Sequence, residues 1–77
     1  MKQIFKMSQK EIRRTIIQYL DSGVFSRAAQ CYERLLFLGK LRQHEYLRLK
    51  MIYERFGNPK AAQRVSTKYE RIYKIEL

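Results

Sequence analysis

Cysteine, histidine, glycine and acidic residues are all scarce in this 77-residue chain, and these scarcities bound what it can do. A single cysteine, Cys31, makes no intrachain disulfide, which fits a reducing cytoplasm. With His44 as the one histidine, the usual four-ligand zinc set is out of reach. Three glycines leave no glycine-rich phosphate loop. No apolar run approaches the ~20 residues of a membrane span. Residues 1–7 lack the apolar stretch of a secretory signal. Acids number 7 against 17 lysines and arginines, giving a formal charge of +10.

What remains is a basic chain that folds. Its hydrophobic content of 45% is too high for a disordered basic tail. The length suits one small domain with a thin core, so a homodimer or a partner is expected. Gly23, Gly39 and the Gly57-Asn58-Pro59 triplet divide the sequence into four amphipathic segments. The expected fold class is all-α, built from two helix-turn-helix hairpins. The reading places an N-terminal arm at 1–7, a first hairpin at 8–39 and a second at 40–77.

Local signals sharpen this. Ser8 and Glu11 form a capping-box pattern ahead of Ile12, Ile16, Tyr19 and Leu20, which share one helix side. Ser26 is the expected cap of the second helix, whose apolar stripe is Ala28, Cys31, Tyr32, Leu35 and Leu38. A third helix is expected from about Leu41 to Phe56. Its broad face is Leu41, Tyr46, Leu49, Ile52, Tyr53 and Phe56. Leu47 and Met51 make a second apolar pair, which points to a helix set between neighbours. Asn58 caps the fourth helix and Pro59 opens it. Ala61, Ala62, Val65, Tyr69, Ile72 and Tyr73 form its buried face.

The chain also repeats. Eight residues recur identically 34 positions on, among them Gln9/Gln43, Glu11/Glu45, Tyr19/Tyr53, Gly23/Gly57 and Ala28/Ala62. The shared pattern is Tyr-x-x-x-Gly-x-x-x-x-Ala: an aromatic ending one helix, a glycine turn, and a small residue where the next helix approaches closely. On these residues, from about Gln9 to Tyr73, the chain resembles the tetratricopeptide repeat family. The stretch from His44-Glu45-Tyr46-Leu47 to Tyr69-Glu70-Arg71-Ile72 also resembles the repeat-containing activator domains of some bacterial transcription regulators. The tetratricopeptide resemblance implies paired helical hairpins and a groove for a protein or peptide. Two units are fewer than the three usual in an autonomous array. Ser66 departs from the pattern, standing where an aromatic would match Tyr32.

The charge pattern supplies the candidate site. Lys60, Arg64, Lys68 and Arg71 follow at steps of four, four and three, within an arc of about 80° on the fourth helix. Lys74 is expected to extend the stripe by a turn. A merely solvated face mixes signs, and no acid interrupts this one. Such a ridge can track phosphates and release counterions, with Thr67 as an additional donor. Arg48 and Arg55, with His44 a turn before, form a second set. Lys10, Arg13 and Arg14 crowd the start of the first helix against its dipole, which hints at a role outside folding. The tyrosines fall mostly on apolar faces, so they read as core rather than as base-stacking platforms.

The expected function is non-catalytic nucleic-acid binding in a regulatory role, in the cytoplasm or on the nucleoid. The alternative is a tetratricopeptide-like adaptor for an acidic protein or peptide. Phe37 lies off the apolar stripe, as an exposed partner anchor or a filler beside the N-terminal arm. Arg27, Gln30 and Arg34 would be the reading face if the first hairpin were a DNA-binding helix-turn-helix. No catalytic constellation is visible and no cofactor is expected: His44 adjoins Glu45 but adjacent helical residues do not face each other, and Cys31 sits on an apolar stripe.

Overall fold

The computed structural model describes residues 7–76. Among these there are four α-helices and no strand: α1 (Gln9–Asp21), α2 (Phe25–Phe37), α3 (Gln43–Arg55) and α4 (Pro59–Tyr73). α1 packs on α2, and α3 packs on α4. The chain is therefore all-α and made of two hairpins. They form two compact units, the first ending at Leu41 and the second beginning at Arg42. Of the expected N-terminal arm, all but Met7 lies outside the described residues.

The 34-residue period reaches into the backbone. The first residues of α3 and α4 and the last residue of α3 each lie 34 positions after their counterparts in α1 and α2. Both turns close in the same way. Gly23 and Gly57 adopt φ of 73° and 69°. The amide of Val24 donates to the Tyr19 carbonyl and the amide of Asn58 to the Tyr53 carbonyl, at 2.8 and 2.9 Å. Gly23 N–H donates to Leu20 and Gly57 N–H to Glu54, completing a Schellman motif at each helix end. The left-handed φ is what glycine supplies, because a Cβ there costs about 1–2 kcal/mol.

The helix starts use different chemistry. Ser8 Oγ accepts from the Glu11 amide at 3.2 Å, as its pattern predicts. Asn58 Oδ1 accepts from the Ala61 amide at 3.2 Å. α2 begins two residues earlier than expected, with Val24 rather than Ser26 as its cap. The turn at Gly23 already delivers the chain in helical register, and the Val24 carbonyl accepts from Ala28. α3 begins at Gln43, not Leu41. Arg42 is extended, and its amide donates to the buried Glu45 carboxylate at 2.8 Å, which sets the start.

The cores follow the predicted faces with some exceptions. Ile12 and Ile16 of α1 are buried, as are Ala28, Tyr32 and Leu35 of α2. Tyr46, Leu49 and Ile52 of α3 are buried, with Ala62, Val65 and Tyr69 of α4. Each fully buried aliphatic contributes about 1.5–3 kcal/mol. Tyr46, Tyr69 and Tyr73 form a ring cluster with centroids 4.6–6.0 Å apart. The Tyr69 hydroxyl accepts from Gln43 Nε2 at 2.7 Å. The tyrosines thus serve packing, as their helical spacing indicates. Leu38 and Phe56 are exposed because each is a C-cap, beyond the packed length of its helix. Ile72 is exposed at the edge of the apolar arc in the last turn of α4. Leu47 and Met51 are 47% and 57% exposed, so the side of α3 they occupy faces solvent rather than a neighbour.

Candidate nucleic-acid interface

α4 positions the basic ridge. Pro59 and Asn58 fix where the helix begins, and its apolar arc fixes which way it is rolled against α3. Lys60, Arg64, Lys68 and Arg71 are then all exposed on the outer arc. Thr67 lies exposed among them, with Gln63 Nε2 at 3.4 Å from its hydroxyl. Lys74 differs from expectation. The helix ends at Tyr73, and Lys74 is the C-cap at φ 59°. Its left-handed backbone takes it off the helical stripe, so it is exposed but does not continue the ridge.

Arg48 and Arg55 are exposed on α3, as is His44. Where they lie relative to the ridge follows from a groove in the same hairpin. Lys50 and Glu54 of α3 line it, and so do Gln63, Ser66 and Glu70 of α4. At ~100° per residue, Arg48 and Arg55 stand about 100–160° around α3 from Lys50 and Glu54. Arg64 and Lys68 stand a similar angle around α4 from Gln63 and Glu70, and Lys60 and Arg71 about 60–100° from them. Lys50 apart, the bases of both helices therefore lie off the groove wall. Three of the chain's seven acids, Glu54, Glu70 and Glu76, line it.

The remaining candidates belong to the first hairpin. Arg27 and Gln30 are exposed on α2, whereas Arg34 is half-buried. The Arg34 guanidinium sits over the Phe37 ring, 5.4 Å from its centroid. Phe37 is 78% exposed, and Ile4 and Phe5 of the arm, beside which the gap-filling alternative places it, lie outside the described residues. Arg13 has work inside the fold: its Nη2 donates to the Lys40 carbonyl at 2.7 Å. The crowding of bases at the start of α1 is thus partly structural. Cys31 is buried, and burial pushes its thiol pKa up, opposed by the nearby charge of Arg27. That is a packing cysteine and not an activated nucleophile. Among the described residues, no group of three or more His, Cys, Asp or Glu is placed to hold a metal ion. No helix among them is long and apolar enough to cross a membrane.

Two residues that shape this hairpin stand outside the charge and apolar patterns of the sequence. Glu45, at the third position of α3, is a buried cap acceptor, and its 34-residue pairing with Glu11 was the available signal. Ser66 is buried on the groove wall. No protein-family model, curated protein or solved structure matches this chain.

Proposed function

We propose that this chain is a non-catalytic nucleic-acid-binding module with a regulatory role, holding phosphates along the α4 ridge. Lys60, Arg64, Lys68 and Arg71 supply the contacts, with Arg48 and Arg55 of α3 as a second set. The observation that carries the reading is the separation of charge within one hairpin. The ridge bases stand out from α4, off the groove wall, while three carboxylates and a single lysine, Lys50, line the groove itself. A polyanion is attracted to the former and repelled by the latter. Phosphate contacts of this kind give affinity and register but not sequence choice.

The same separation disfavours an acidic peptide seated in that groove. The recurrence of helix bounds every 34 residues supports a tetratricopeptide-like hairpin unit as the scaffold. Fluorescence anisotropy with labelled duplex and single-stranded DNA and RNA, across a salt series, tests the proposal. Affinity falls steeply with salt, and a Lys60/Arg64/Lys68/Arg71→Gln variant binds weakly with a shallower slope. Equal binding by that variant, or no binding near 0.15 M salt, overturns it.

A further inference from the structure

We propose that the groove of the second hairpin docks an amphipathic helical segment of a partner protein, with an apolar anchor flanked by Lys or Arg. This site is independent of the phosphate ridge and lies on the other side of α4.

The groove has a legible origin. Ser66 and Lys50 stand 34 positions after Tyr32 and Ile16, so this hairpin lacks two large apolar side chains that the first one has. Tyr32 and Ile16 are both buried in their hairpin. In the second hairpin Ala62 and Ser66 line a groove of about 540 Å³. Its lining includes the Gly57–Pro59 turn, α4 as far as Glu70, and Glu76. At ~1.5 Å per residue, the lining stretch of α4 from Pro59 to Glu70 is about 16 Å long. A shallow channel of that length suits a peptide segment better than a compact metabolite.

Charge selects the occupant. Glu54, Glu70 and Glu76 line the groove with one lysine, Lys50, on a chain that is otherwise strongly basic. A basic ligand meets overall repulsion from the +10 chain, but the Debye length is about 8 Å at 0.15 M salt. At that ionic strength the adjacent carboxylates decide the sign of the local interaction. The apolar part of the segment is met by Leu47 and Met51, which lie about 20° and 60° around α3 from Glu54. Both are exposed, and they are four residues apart, the spacing of a helix-in-groove contact. A nucleic acid is excluded by the carboxylates, and an acidic peptide by the same charge.

The test is anisotropy at 0.15 M salt with a labelled amphipathic peptide of about 18 residues of Leu, Ala and Lys, long enough to span the groove. A second peptide carries Glu in place of Lys. The Lys peptide binds and the Glu peptide does not. Ser66→Tyr restores the residue type of the first hairpin and fills the groove. Glu54→Gln with Glu70→Gln removes charge without adding bulk. Each weakens the Lys peptide at least tenfold, while the Lys60/Arg64/Lys68/Arg71→Gln ridge variant leaves it unchanged. Circular dichroism checks that Ser66→Tyr remains helical, and if it does not, the Gln pair carries the test alone. Absent binding, equal binding of both peptides, or indifference to the groove variants overturns the proposal. So does a dimer, seen by sedimentation, that Ser66→Tyr dissociates, because the occupant is then a second copy of this chain.

Discussion

Arg13 Nη2 donates to the carbonyl oxygen of Lys40 at 2.7 Å, across 27 residues of chain. The bond ties the early part of α1 to the segment leaving α2. It offsets the cost of a base near a helix N-terminus by giving that base a partner in the same hairpin.

Replacing Arg13 with Ala therefore destabilises the first hairpin by about 1 kcal/mol. Arg14 is exposed on the same turn. Arg14→Ala stays within about 0.5 kcal/mol of the parent. Urea unfolding of the two variants side by side measures the difference. Equal midpoints would show that the Lys40 contact adds nothing to stability.

Gly57 sits at φ 69° with open space where a Cβ would be. Gly57→Ala thus costs conformational energy and no steric clash, about 1–2 kcal/mol. Gly57→Asn costs less, since asparagine tolerates the left-handed region better. Thermal unfolding of both variants checks the order Gly, Asn, Ala.

Leu49 is fully buried in α3, which packs against α4. Leu49→Ala removes that burial and costs about 2–5 kcal/mol. In so small a fold this is comparable to the whole stability, so the far-ultraviolet helical signal drops at 25 °C. A variant with unchanged unfolding would mean the α3–α4 core is not a determinant of the fold.

Alkaline pH acts through Cys31. Burial raises its folded pKa above the ordinary 9.0, and Arg27 opposes part of that rise. The folded state then holds a proton that the unfolded state releases. Stability is full below about pH 9 and is lost as pH rises from there toward the folded value. Tyr46, raised above 10.0 by burial and then by Tyr73, adds a similar loss higher up. Urea midpoints at pH 8 and pH 10 measure this, and Cys31→Ala shows the smaller drop between them.

For the ridge, Lys68→Gln lowers the salt slope of nucleic-acid binding by about 1, as one phosphate contact does. Lys74→Gln has a smaller effect, because Lys74 has left the helical stripe. Anisotropy over a salt series separates the two. A larger effect at Lys74 would place the phosphate track beyond the end of α4.

Much of this was written in the linear sequence, because it depends on residues near one another along the chain. Glycine spacing placed both hairpin turns, since a left-handed C′ residue is a local requirement. Ser8 and Asn58 marked helix starts through bonds three residues long. The 3.6-residue period brought Lys60, Arg64, Lys68 and Arg71 to one face before any packing was known. Tertiary structure decided what depends on distant partners. Helix pairing left Leu47, Met51 and Ile72 in solvent although their spacing alone suggested burial. It turned Arg13 from a candidate binding residue into a partner of Lys40. It also gathered Glu54, Glu70 and Glu76, scattered over 23 positions, around a groove bordered by the small residue Ser66. A side chain's exposure and the charge beside it are set by which helices meet, and a periodicity read along one helix carries no such information.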